Sequence, residues 1–130
     1  EPVPDLIIDK VFYKRLPGGF AVQIVDIFNQ GDGAQEMYKW VVEGTIKVPV
    51  TSCRFTDPKQ TIPGGEHYYV LAGTEADKQA QVEPYLGHSM VCKDAYIFDQ
   101  NSDSVLLLTD GRDIKDKFCW YQFGPYECSP

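Results

Sequence analysis

The chain of 130 residues has no run of about 18 apolar residues, so nothing in it reads as a membrane-spanning helix. It opens "EPVPDLIID", without a basic start or an apolar stretch, and so shows no signal peptide. That opening fits a mature chain whose leader has been removed or a domain of a longer chain, with residues 1–5 as a linker stub. Positive charge is scarce: 12 Lys and Arg stand against 19 Asp and Glu, a formal net charge of -7. An acidic balance argues against nucleic acid, which needs a clustered basic patch. The densest basic group, Lys10, Lys14 and Arg15, reads as a solvated strand edge. No cysteine pair has CxxC spacing, and the two histidines, His67 and His88, lie next to no cysteine, so no metal site is expected. There is no Asn-X-Ser/Thr acceptor and no Gly-rich phosphate loop.

Catalytic patterns are also missing. Ser52, Ser89, Ser102, Ser104 and Ser129 sit in no Gly-X-Ser-X-Gly elbow. His88 and Ser89 are adjacent, and neighbours on a strand point to opposite faces. Both histidines read as solvent-facing. "DQNSD" at 99–103 lacks the glycine and closing glutamate of a calcium loop and reads as a solvated acidic loop. No catalytic residue and no cofactor are expected.

What is present is a globular composition, 43% hydrophobic and 13% aromatic, which suits one domain over residues 1–130 with a real core. Four cysteines, Cys53, Cys92, Cys119 and Cys128, imply two disulfides and an oxidising compartment. Their connectivity stays open among three choices on the residues alone. Pro and Gly punctuate the chain at Pro17-Gly18-Gly19, Gly31-Asp32-Gly33, Pro63-Gly64-Gly65, Gly73, Gly87, Asp110-Gly111 and Gly124-Pro125. Short β-rich segments between such turns indicate a barrel or sandwich.

Strands are expected at 6–16, 20–29, 37–50 (as one or two), 66–72 and 89–98, with a polar loop at 74–87. The segment 20–29 is apolar on both faces, with Phe20, Val22, Ile24 and Phe28 opposite Ala21, Val25 and Ile27. Such a pattern suits a strongly bent barrel strand that passes from one packing surface to another. Gly44 marks a bulge or bend. Residues 111–120 are read as a short helix, with Asp110 as N-cap and Asp113 completing an imperfect capping box. The tail "FCWYQFGPYEC" is dense in aromatics around two cysteines. It reads as a pinned cover over one end of the fold or as a partner-binding surface.

The order "AVQIVDIFNQG", a tryptophan-bearing strand, Cys53, "GGEHYYVLAG" and "SMVCKDAYIF" resembles the netrin-like module, the fold of the N-terminal domain of the tissue inhibitors of metalloproteinases. Ile27-Phe28 with Gly31, Tyr69 to Gly73, and Cys92 followed by Tyr96 and Phe98 carry the likeness, which covers residues 6–100. The resemblance implies a mainly β chain: an OB-like, five-stranded Greek-key barrel with one or two short helices. One of Tyr68 and Tyr69 would then pack inward. The inhibitors begin with a Cys-X-Cys pair whose terminal amine and carbonyl chelate the target's zinc. This chain begins with Glu1 and Pro2 and has no cysteine before Cys53, so that mechanism does not carry over. In the inhibitors the early pair bridges to the positions that Cys53 and Cys92 resemble. Its absence here implies a direct Cys53–Cys92 bond, leaving Cys119 with Cys128.

The function implied is a secreted, non-enzymatic protein-recognition module with an extracellular partner, such as a protease, a matrix component or a host protein. The residues placed at its contact surface are Glu1, Pro2, Asp32, Phe55, Trp120 and Tyr121. The rival is a secreted small-molecule carrier that uses a barrel interior. A small hydrolase comes third, because no nucleophile and base are paired.

Overall fold

The computed structural model describes residues 1–15, 17–18, 21–45, 52–93, 96–98, 103–121 and 124–126. The chain is mainly β. Its elements are β1 (Leu6–Arg15), β2 (Ala21–Asn29), β3 (Gln35–Glu36), β4 (Val41–Gly44), β5 (Ser52–Arg54), β6 (Thr61–Ile62), β7 (His67–Gly73), α1 (Ala76–Gln79), β8 (Ser89–Lys93), β9 (Asp103–Leu108), β10 (Ile114–Tyr121) and β11 (Gly124–Tyr126). They form a four-stranded sheet, β1-β2-β7-β8, a five-stranded sheet, β11-β10-β9-β4-β5, and a ribbon of β3 with β6. All pairs are antiparallel except β7 with β8, which α1 and the segment after it connect as a parallel crossover.

The described strands do not close into the five-stranded barrel that the resemblance implies. Two edges meet without a backbone ladder. On one side, Cys53 of β5 is bonded to Cys92 of β8, with Cα atoms 6.0 Å apart, as the resemblance implies. On the other side β1 lies beside β10. There the Ile8 amide donates to Asp116 Oδ2 at 2.7 Å, and Lys115 pairs with Asp5 at 3.1 Å. Each of these strands carries a bulge, between Ile8 and Lys10 where β1 pairs with β2 and between Ile114 and Asp116 where β10 pairs with β9. Cys119 is not a free thiol. Its expected partner Cys128 lies outside the described residues.

The main core sits between the sheets. Val25, Ile27, Val70 and Ala72 of the first face Val42, Val105 and Leu107 of the second, with Phe55, Trp40 and Ile97 filling in. Gln23 is buried among them. Its Oε1 accepts from the Ile97 and Phe98 amides at 2.6 and 3.1 Å, and its Nε2 donates to the Phe98 carbonyl at 2.5 Å. The opposite face of the first sheet carries a second cluster: Val22, Ile24 and Leu71, covered by Ala76 and Tyr85. The two-faced apolar pattern of β2 comes from a packing surface on each side of its sheet, where a strongly bent barrel strand passing from one surface to another was expected. Tyr68 points to the main core and Tyr69 to the second cluster, as neighbours on a strand must.

Three segments differ from the sequence reading. Residues 111–120 are not a helix: Ile114–Tyr121 is β10, paired with β9. The would-be cap is a hairpin turn, in which Thr109 N donates to Asp113 O at 2.9 Å and Arg112 N to Thr109 O at 2.9 Å. Non-local pairing with an apolar strand outweighs a weak local helix signal. The loop at 74–87 contains α1. The expected strand at 37–50 is cut down to β4, whose last residue, Gly44, lies against Ile97; residues 46–50 are outside the described set.

Candidate functional site

The antiparallel register sets Lys10, Asp26 and Tyr69 side by side across β1, β2 and β7, and Phe28 beside His67. Residues at period two share a face, so Val22, Ile24, Asp26 and Phe28 all point to the outer side of this sheet. Segment 74–88 crosses over Val22 and Ile24 and buries them. Asp26 is the charge left on this apolar face. Its side chain is only 6% exposed. His67 Nδ1 lies 2.7 Å from Asp26 Oδ1. The His67 side chain is 39% exposed and is stacked on Phe28, with ring centroids 4.5 Å apart. Tyr69 lies 6.2 Å beyond His67, and Tyr85 meets Tyr69 edge-on at 4.9 Å.

Asp26, Tyr69 and Tyr85 line one side of a cleft of about 540 Å³, bounded also by Asp9, Lys10, Val11, Phe12, Pro84 and Phe118. The β1 bulge at Asp9 delivers its carboxylate here. Potential ligand atoms of Asp9, Asp26 and His67 lie within 4.8 Å of one another, a donor set of two oxygens and one nitrogen that is able to hold a cation. A smaller hollow beside the cleft shares Tyr69 and Pro84 with it and adds Glu66, His67 and His88. Burial pushes the Asp26 carboxyl above the ordinary carboxylate range, with the His67 hydrogen bond acting against it. Burial, reinforced by the nearby Asp26 charge, pushes the Tyr69 and Tyr85 hydroxyls up as well.

The contact surface expected from sequence is partly assembled elsewhere. Asn29, at the end of β2, is fully buried and uses both ends of its amide. Nδ2 donates to the carbonyls of Gly33 and Ile62 at 2.8 and 2.9 Å, and Oδ1 accepts from the amides of Asp5 and Gly31 at 3.0 and 3.1 Å. Asp32 then accepts from the Val3 amide at 2.8 Å, and Val3 O accepts from the amides of Asp32 and Gly33, both at 3.2 Å. Residues 1–5, read as a linker stub, are thus held against the Gly31-Asp32-Gly33 turn. The approach is tight enough that a Cβ on Gly31 would stand 2.2 Å from Val3 O. Glu1, Pro2 and Asp32 therefore share one exposed ridge.

Phe55, another expected contact residue, does not join it. Phe55 is corrected outright: its side chain is fully buried in the main core. The residue after β5 turns inward under Trp40, whose carbonyl accepts its amide at 2.9 Å. Trp120 and Tyr121 lie in β10, opposite Pro125 and Gly124 of β11. Of the two histidines, His88 is exposed as read. His67 is instead half-buried and paired to Asp26. The cleft was missed because its residues come from β1, β2, β7 and the 84–85 segment. The signal in the sequence was Asp26 itself, a lone charge on an apolar strand face.

No family model matches this chain, and no curated protein matches it either.

Proposed function

We propose that this chain is a secreted, non-enzymatic recognition module of the netrin-like type, binding an extracellular protein partner through the ridge built by Glu1, Pro2 and Asp32. The observation that carries the reading is the pinned amino-terminal segment. Residues 3–5 are fixed to the 29–33 turn by backbone and side-chain hydrogen bonds, so exposed residues are presented in one geometry. A surface ordered in advance binds without the cost of ordering it later. The Cys53–Cys92 bond supports an oxidising compartment, and no described helix is long and apolar enough to cross a membrane. The OB-like arrangement belongs to the same proposal, supported by the ordered residues quoted above. A non-enzymatic role is supported by the surroundings of the Asp26–His67 pair, since the described hydrogen bond of His67 is to Asp26 and, among the described residues, no hydroxyl or thiol is bonded to its ring.

The test is capture from extracellular fluid with the intact chain and with an Asp32→Lys variant as baits. Asp32→Lys removes the exposed carboxylate together with its bond to the Val3 amide, so it tests the ridge and its pinning as one unit while touching no core residue. A partner held by the intact chain and lost at least ten-fold by the variant is the expected result. Equal capture by both baits rejects the ridge, and no specific capture by either rejects the recognition reading.

A second reading is favoured by the cleft: a binder of small molecules. The barrel interior first considered for a carrier is filled by core side chains. The 540 Å³ cleft on the outer face of the first sheet lies within the size range of small-molecule sites.

A further inference from the structure

We infer that the cleft takes a ligand with a protonated amine on an apolar or aromatic body, the amine held between Asp26 and Asp9. This rests on the second reading above and names its ligand class.

A carboxylate buried as deeply as that of Asp26 is costly unless its oxygens are satisfied. The fold supplies one described hydrogen bond, between His67 Nδ1 and Oδ1; Oδ2 has no described protein partner and stays open to the cleft. Asp9, which lines the same cleft, makes no hydrogen bond or ion pair to a described residue. Two carboxylates with free acceptor capacity within 4.8 Å of each other are a repulsive arrangement for the protein alone. They are a favourable one for a cation placed between them. Lys10 lines the cleft too, and reaches neither carboxylate in an ion pair, which leaves a net negative lining.

The walls decide which cation. A bare metal ion needs donors and leaves the rest of the cavity without a purpose. Here the remaining lining is Phe12, Tyr69, Tyr85 and Phe118 with Val11 and Pro84, an apolar enclosure suited to a hydrocarbon or aromatic body. The faces of such rings also attract an ammonium.

The experiment is calorimetric titration of the intact chain with tryptamine and with tryptophol, the same indole carrying a hydroxyl in place of the amine. Tryptamine is expected to bind with one-to-one stoichiometry and at least ten-fold more tightly than tryptophol. Asp26→Asn, and separately Asp9→Asn at an exposed position where folding is not at stake, should each weaken tryptamine at least ten-fold and leave tryptophol unchanged. Equal affinity for both indoles overturns the amine assignment while leaving the cleft as a small-molecule site. The absence of binding by either, together with no co-purifying small molecule by native mass spectrometry, overturns the cleft reading as well. Stoichiometric zinc binding that is lost in Asp9→Asn, with no tryptamine binding, overturns the amine in favour of a metal ion.

Discussion

At the scale of single residues, buried polar groups carry most of the information. Gln23 and Asn29 are buried with their hydrogen-bonding capacity spent on backbone groups, so each fixes a chain crossing and nothing else. Asp26 is different, since its burial is only half compensated. That difference has a consequence in pH. The folded state holds the Asp26 proton more tightly than the unfolded chain does, mainly through burial. Its contribution to stability is therefore fully present below the unfolded carboxyl pKa of about 3.9 and is lost as pH rises through the higher folded value. Urea unfolding of the wild type and of Asp26→Asn across acid pH isolates the effect, because other carboxylates cancel in the difference. The wild type should lose stability relative to the variant as pH rises through this window. A flat difference would show that Asp26 titrates normally.

At the scale of elements, glycine marks where two chain segments touch. Gly44 ends β4 with the Ile97 carbonyl against it: a Cβ placed there would stand 1.9 Å from that oxygen, which is backbone and held by Gln23 through the neighbouring amides. Gly65 is the contrasting case, with open space around its Cβ position but a φ of +80°. Gly44→Ala is expected to cost about 3 kcal/mol or more through overpacking. Gly65→Ala, which strains only a dihedral angle, is expected to cost about 1 kcal/mol. Chemical denaturation of the two variants side by side checks the order, and equal costs would mean that the Ile97 segment yields easily. The β9–β10 hairpin teaches a related point. Its residues carry a faint helix signal, and its turn uses Asp113, one of the two residues that suggested a cap, whose amide donates to Thr109 Oγ1 at 3.2 Å.

At the scale of the whole molecule, two sheets are held edge to edge by side chains. One seam is covalent and the other is a row of polar contacts from β1 to β10. The Cys53–Cys92 bond spans 39 residues of sequence, and constraining a loop of that length in the unfolded chain stabilises the fold by about 4 kcal/mol. The double variant Cys53→Ala, Cys92→Ala should lower unfolding stability by an amount of that order, read from denaturant midpoints without reductant. A loss well under 1 kcal/mol would mean that sheet packing alone holds this seam. The cleft lies near the other seam, where Asp9 leaves the β1 ladder at its bulge and Phe118 of β10 reaches the lining.

The sequence by itself determined the β class, the strands at β1, β2, β7 and β8, the two-faced burial of β2 and the opposite aim of Tyr68 and Tyr69. These follow from residue type and a period of two, both local. The resemblance, read from the order of motifs, implied the bond between Cys53 and Cys92. Only the tertiary structure decided that Ile114–Tyr121 is a strand, because its partner β9 supplies what local propensity does not. It also decided that Phe55 is core, that residues 1–5 are pinned to the 29–33 turn, and that Asp9, Asp26 and His67 converge. These three come from different strands, and their convergence depends on strand register and on a bulge. Both are set by contacts between segments far apart in the chain, and no spacing in the sequence records them.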